Sequence, residues 1–178
     1  RDLAAGLTLG PGIDNSDLTP LASATQQQQV LQHCNRAVAQ GAQLITGGKI
    51  PTSMPGYFFE PTIFCGVSAE MDLFQQEVFG PVIAITPFDT EQQAWELANG
   101  TEYGLVAGIF SQNLNCCLRG TRALKAGQVF VNEWYAGGVE TPFGGTGLSG
   151  FGREKGQEAL YSYVRSKNIA MRIAAGSA

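Results

Sequence analysis

Hydrophobic residues come in short runs punctuated by glycine and proline, and their period changes from run to run. After Ser23, the apolar positions Val30, Leu31, Cys34, Ala37 and Val38 recur at helical spacing, and Gly41 is placed to end that helix. Ser23-Ala24-Thr25-Gln26 has the form of a capping box, in which a hydroxyl and an amide satisfy backbone N–H groups left open by the first turn. Thr90-Glu91-Gln92-Gln93 repeats that form before Ala94, Trp95, Leu97 and Ala98, and Asn99-Gly100 stops the second helix. Asn113 caps a third helix, whose face carries Leu114, Cys117, Leu118 and Thr121 and which ends at Gly127. Strand candidates lie between these helices at residues 43–46, 58–67, 82–88, 105–110 and 128–131. Pro61 restricts the second of them to an edge or a strand start. A short helix over 153–161 follows a glycine-dominated stretch. The chain then closes on a strand with Ile169, Met171 and Ile173 on one face and Ala170 and Arg172 on the other.

Strands that alternate with helices are the signature of βαβ units. The pattern predicts an α/β fold: an open, mostly parallel, doubly wound sheet within a single domain over residues 1–178. The strands from Val82, Leu105 and Gln128 are expected to be central and buried, since nearly continuous apolar runs match strands covered on both faces. The 178 residues, 44% hydrophobic and 15% charged, are ample for a packed core and exclude a disordered tail. A net charge of −4 gives no electrostatic footprint for nucleic acid or for anionic lipid. No apolar run approaches the ~20 residues of a membrane span, and the first residues lack a signal-peptide pattern. Four cysteines in a chain of this length do not form a disulfide framework, which points to a reducing, cytoplasmic compartment. One histidine, His33, excludes a His-based metal centre. The chain opens on Arg1 and not on Met, which fits a trimmed chain, a processed product or a fragment of a longer protein.

Three segments have the residue types for chemistry. Gly145-Thr146-Gly147-Leu148-Ser149-Gly150 matches G-x-G-x-x-G, but Pro142 stands where a buried strand should be and no acidic residue follows Glu158. The dinucleotide-binding context therefore fails, and a tight loop is expected. Glu77-Val78-Phe79-Gly80-Pro81 sets a carboxylate and a phenyl ring at the mouth of a strand. A carboxylate there is able to grip the vicinal hydroxyls of a sugar, or it is a solvated loop charge. Trp134, Tyr135 and Phe143 lie on a glycine-rich loop after a strand end, where aromatics either line an apolar pocket or pack the loop onto the domain. Cys34 and Cys65 read as small core residues. Cys116 and Cys117 have no activating base in sight, and His33 and Cys34, one apart on a helix, do not face each other.

In their order and spacing, several of these segments resemble the C-terminal part of the aldehyde dehydrogenase superfamily. They are Gly41-Ala42 with Gly47-Gly48, Glu60-Pro61-Thr62-Ile63, Glu77-Val78-Phe79-Gly80-Pro81-Val82, Asn99 with Tyr103-Gly104-Leu105, Gly127 to Asn132, and Pro142-Phe143-Gly144-Gly145 with Ser149-Gly150-Phe151-Gly152-Arg153-Glu154. The resemblance runs from about Leu7 to Ile173. It implies oxidation of an aldehyde to a carboxylate with NAD or NADP as cofactor, through a cysteine thiohemiacetal and a thioester. It assigns Glu77 to the nicotinamide-ribose hydroxyls and Phe79 to packing beside that ribose. It assigns Trp134, Tyr135 and Phe143 to the aldehyde entrance, and Glu154 to a candidate proton path. It makes residues 167–173 an oligomerisation strand that joins a second subunit.

The family's nucleophilic cysteine, oxyanion amide, general base and dinucleotide domain align before Arg1, and none of the four cysteines sits in the nucleophile's motif. Gly147 stands where a lysine is common. The resemblance thus implies no catalytic residue in this chain, no tight cofactor binding by it alone, and no activity in isolation. Two readings stay open: a piece of an NAD(P)-dependent aldehyde dehydrogenase, or a stand-alone, non-catalytic oligomerisation module on the same fold.

Overall fold

A computed structural model describes residues 1–173. The elements run α1 (Asp2–Ala5), α2 (Ala24–Ala39), β1 (Gln43–Thr46), β2 (Thr62–Cys65), α3 (Asp72–Gln75), β3 (Val82–Ile85), α4 (Glu91–Ala98), β4 (Val106–Ile109), α5 (Leu114–Ala123) and β5 (Gln128–Val131). Short 3-10 turns occupy Gly12–Asp14 and Gln157–Ser162. The chain forms two compact units, Arg1–Glu102 and the part from Tyr103 onward.

In the first unit, α2 begins and ends as its sequence predicts. Ser23 Oγ accepts from Gln26 N at 3.1 Å. The return bond of the box lands one residue earlier than the simple pattern, with Ala22 N donating to Gln26 Oε1 at 3.1 Å. Thr90 and Gln93 repeat this arrangement at α4, again with the preceding residue, Asp89, donating to the glutamine side chain at 2.8 Å. At the far end of α2, Gly41 takes φ +100, Gly41 N donates to Val38 O and Ala42 N donates to Ala37 O. Those two bonds make a Schellman stop, which glycine permits because it has no Cβ.

The sheet of this unit has the order β1-β2-β3, with β1 antiparallel to β2 and β2 parallel to β3. Pro61 directly precedes β2, so the strand start allowed by the sequence is the one found. Thr62 is buried yet satisfied: its hydroxyl donates to Glu60 O at 2.7 Å and accepts from Gly48 N at 2.8 Å. The core gathers Val30, Cys34 and Ala37 of α2 against Phe59, Phe64, Val67 and Leu73. The expectation that the Val82 strand is central and buried is overturned. β3 is an edge strand, and Ile83 and Ile85 are 58% and 45% exposed. An apolar run states a need for cover on both faces, and the described sheet supplies one neighbour only.

In the second unit, β4 and β5 are parallel, paired from Val106↔Gln128 to Ile109↔Val131, with α5 as the crossover. Asn113 Oδ1 accepts from Cys116 N at 3.1 Å and caps α5 as expected, although the helix ends at Ala123, short of Gly127. Ile109, Cys117, Leu124 and Phe130 are buried. The Leu105 and Gln128 strands thus form a two-stranded sheet among the described residues, so neither is central. Asn132, at φ +55, uses its amide as a continuation of the ladder: Oδ1 accepts from Ser111 N at 2.8 Å and Nδ2 donates to Ser111 O at 2.9 Å.

Two expectations near the C-terminus are corrected. The helix over 153–161 is a 3-10 turn at Gln157–Ser162. The strand over 167–173 is absent, and Ile169, Met171 and Ile173 are exposed. A strand exists only where its N–H and C=O groups meet a neighbour's, and no strand among the described residues pairs with this stretch. The parallel pieces with their crossover helix nonetheless make the chain an α/β protein.

Candidate functional site

The segment between α3 and β3 is set by one strained residue and one close approach. Phe79 has φ +53, a left-handed backbone that costs a non-glycine residue roughly 1–2 kcal/mol. The next residue, Gly80, lies so near α2 that a Cβ there would come within 2.6 Å of Val30 Cγ2. The turn therefore sits directly on the core face of α2. Gln26 fastens it from above, its Nε2 donating to Phe79 O at 2.5 Å.

This docking opens a cleft of about 460 Å³ between α2 and the turn. Gln26, Gln29 and His33 line it on the helix side, and Glu77, Val78 and Phe79 on the turn side. Glu77 is exposed, and the Phe79 ring is 70% exposed, so neither is spent on the core. The two residues assigned from the resemblance to the cofactor thus share one concave surface. The sequence reading missed Gln26 as more than a cap, and missed His33 as a member of this surface. The signal was available in part: residues 26, 29 and 33 follow helical spacing along one face.

His33 belongs to a small charged network. Its Nδ1 is 3.0 Å from Arg36 Nη2. Arg36 Nε lies 2.9 Å from Asp72 Oδ2, a contact close in distance but not aligned as a hydrogen bond. Asp72 also joins Gln40, accepting from its Nε2 at 3.3 Å and donating its own N–H to Gln40 Oε1 at 3.0 Å. Burial first, and the Arg36 charge second, hold the His33 imidazole below its usual value, with Asp72 opposing them.

The aromatic residues of the second unit fall into two groups. Trp134 and Tyr135 stack around Phe130, with centroid separations of 5.7 Å and 6.1 Å to it and 6.0 Å between themselves. The Trp134 ring covers Gly108, where a Cβ would meet it at 2.8 Å. Half of Trp134 and most of Tyr135 stay exposed. Phe143 is half-buried and exchanges both backbone hydrogen bonds with Glu154, each 2.7 Å. Lys155 Nζ stands 5.6 Å from the centre of the Phe143 ring. Glu154 therefore anchors Phe143 through its backbone, while its carboxylate faces solvent.

Other candidates are inert or structural. Burial pushes the Cys34 thiol up to about 11, far from a thiolate at neutral pH. Cys117 is buried and its thiol donates to Ser111 O. The G-x-G-x-x-G match is a pair of tight turns with Gly147 and Gly150 at positive φ, tied to Gly104 through Thr146 N and Ser149 Oγ. No strand leads directly into it. Among the described residues, no group of His, Cys, Asp and Glu is placed to hold a metal.

Comparison with known proteins carries the geometry to a family. The chain is 42% identical over 154 residues to aldehyde dehydrogenase 1 of Tanacetum cinerariifolium, covering 86% of this chain and 31% of that protein. It is 39% identical over 167 residues to a betaine aldehyde dehydrogenase of Cereibacter sphaeroides, covering 93% and 34%. Among solved structures, betaine aldehyde dehydrogenase from Staphylococcus aureus in complex with NAD+ matches with a TM-score of 0.89 at 36% identity, over 93% of this chain and 34% of that one. The chain spans about a third of the length of these relatives. The sequence model described as the aldehyde dehydrogenase family matches residues 1–169. With the motifs in order, the parallel βαβ pieces in place and the match running through nearly all of the sequence, this chain belongs to the aldehyde dehydrogenase family.

Proposed function

We propose that this chain provides the nicotinamide-ribose turn and the aldehyde entrance of an NAD(P)-dependent aldehyde dehydrogenase that oxidises an aldehyde to a carboxylate. The observation that supports this most is the shared cleft: Glu77 and Phe79 face the same space with their polar and aromatic groups free. A carboxylate offers only acceptors and suits the two donor hydroxyls of a ribose. The cofactor, when bound, supplies the hydride acceptor. Glu77 restrains the ribose, Phe79 packs beside it, and Gln26 holds the turn that carries both. Trp134, Tyr135 and Phe143 give the substrate side apolar walls that exclude water. The Glu154 carboxylate, exposed beyond the Phe143 bridge, is placed to pass a proton to solvent.

The 178 residues alone do not oxidise aldehydes in this reading and do not hold the cofactor tightly. Cys34 and Cys117 are buried in the interior, and burial pushes the Cys34 thiol up to about 11, which leaves it a poor nucleophile at neutral pH. The exposed Ile169, Met171 and Ile173 support self-association through the C-terminal segment. That same surface is what favours the second reading, a non-catalytic oligomerisation module.

The test is Glu77→Gln in the complete enzyme that carries this chain. Charge-assisted bonds to the ribose are worth roughly 1.5–3 kcal/mol, so turnover is expected to fall about ten- to a hundred-fold with the fold intact. Wild-type kinetics in that variant would return Glu77 to the status of a solvated loop charge. NADH formation by the 178-residue chain from short aldehydes would overturn its inactivity.

A further inference from the structure

The cleft holds polar side chains that the cofactor reading leaves idle, Gln29 and His33 among them. His33, the only histidine of the chain, lies four residues beyond Gln29 on the face of α2 that lines the cleft. Its Nδ1 meets Arg36 Nη2 at 3.0 Å. A guanidinium can only donate, so Nδ1 accepts, and the ring proton belongs on Nε2. Arg36 is itself held by Asp72, and Asp72 by Gln40. The tautomer is thus fixed by a chain of contacts that runs back to α3. Burial and the Arg36 charge, opposed by Asp72, disfavour a second proton on the ring.

Glu77 can only accept. A ribose that donates its hydroxyl protons to Glu77 still carries oxygen lone pairs, which need a donor once water is expelled from the cleft. Both amide ends of Gln26 are engaged, one by Phe79 O and the other by Ala22 N. His33 brings a neutral N–H to the same surface.

We propose that His33 is a further cofactor-binding residue, donating from Nε2–H to an oxygen of the ribose that Glu77 holds. The inference rests on the cleft being the nicotinamide-ribose site.

Two measurements test it. In the 178-residue chain, the single imidazole gives one set of ring ¹⁵N resonances, expected to show the Nε2–H tautomer at neutral pH. An Nδ1–H tautomer or an imidazolium there overturns the proposal. In the complete enzyme, His33→Ala is expected to raise the NAD+ KM about three- to ten-fold, the worth of one neutral hydrogen bond, with kcat within about two-fold. His33→Gln, which keeps an N–H at similar reach, is expected to restore most of it. Failure of His33→Gln to restore it overturns the donor role. An unchanged KM in His33→Ala beside an altered Glu77→Gln sinks this inference alone. Unchanged cofactor kinetics in both variants removes the cleft reading and this inference together.

Discussion

Gln26 Nε2 donates to the carbonyl of Phe79 at 2.5 Å, joining α2 to a residue 53 positions later. The partner residue is the one with the left-handed backbone, φ +53. A bond that spans so much sequence and lands on a strained residue holds that residue against its own preference. Gln26→Glu keeps the acceptor used by Ala22 N and deletes the donor used by Phe79 O. It also sets a carboxylate beside a carbonyl oxygen. Loss of about 1–2 kcal/mol is expected, read as a lower urea midpoint of the 178-residue chain at unchanged slope. An unmoved midpoint would mean that the turn holds itself.

Phe79→Gly separates the two properties of that residue. Glycine accepts a positive φ without steric cost, and the ring removed is mostly exposed, so little apolar burial is lost. Stability is expected to stay level or rise by up to ~1 kcal/mol. The ring that packs against the ribose is gone, so the NAD+ KM of the complete enzyme is expected to rise. Strain kept for function gives this split, in which stability and cofactor affinity move in opposite directions. A variant that loses both would show that the ring is a structural contact.

The parts of this fold that depend on neighbours in sequence were legible. The caps at Ser23, Thr90 and Asn113 and the stop at Gly41 are local chemistry, and each is found in place. The Pro61 strand start follows from a missing N–H. What failed depended on partners far away. The Val82 run announces apolar faces but not what covers them, and β3 is an exposed edge. The alternation of Ile169, Met171 and Ile173 announces a strand but not its neighbour. At the site, spacing alone left Glu77 readable as a loop charge, and it was the match to the family's motif that singled out Glu77 and Phe79. Gln26 and His33 join them only because Gly80 lets the turn settle on Val30, a register that no local pattern encodes.

Cys34 makes stability depend on alkaline pH. Its thiol is raised from about 9.0 to about 11 by burial, so the folded state keeps a proton that the unfolded chain releases. The contribution is fully present below pH ~9 and is lost as pH rises toward ~11, amounting to roughly 2–3 kcal/mol. Cys34→Ala is expected to flatten that part of the stability–pH curve while costing stability at pH 7, since Cys34 is 2% exposed in the core of α2. Urea midpoints of both proteins at pH 7, 9 and about 10.5 check it. Equal pH slopes would assign the alkaline loss to other groups.

The C-terminal segment is expected to bring a second copy of the chain. Ile169, Met171 and Ile173 are 67%, 81% and 86% exposed, and their stretch has no strand partner among the described residues. Burying three such side chains gains roughly 1.5–3 kcal/mol each. Ordering the seven residues of this stretch costs about 1–2 kcal/mol per residue. The ordering cost, about 7–14 kcal/mol in all, exceeds the roughly 4.5–9 kcal/mol from burial, so apolar burial alone does not drive the step. The balance is tipped by the backbone: pairing gives unpaired N–H and C=O groups a ladder, and a two-fold arrangement makes each contact twice. Association of this kind is concentration-dependent, since a micromolar Kd needs only about 8 kcal/mol in total. Sedimentation is expected to show a dimer or larger species at micromolar protein that reverts to monomer when residues 168–178 are deleted. A monodisperse species at 18.9 kDa in the intact chain would reject association. An oligomer that survives the deletion would move the interface to another exposed apolar edge, of which β3 with Ile83 and Ile85 is the first to examine.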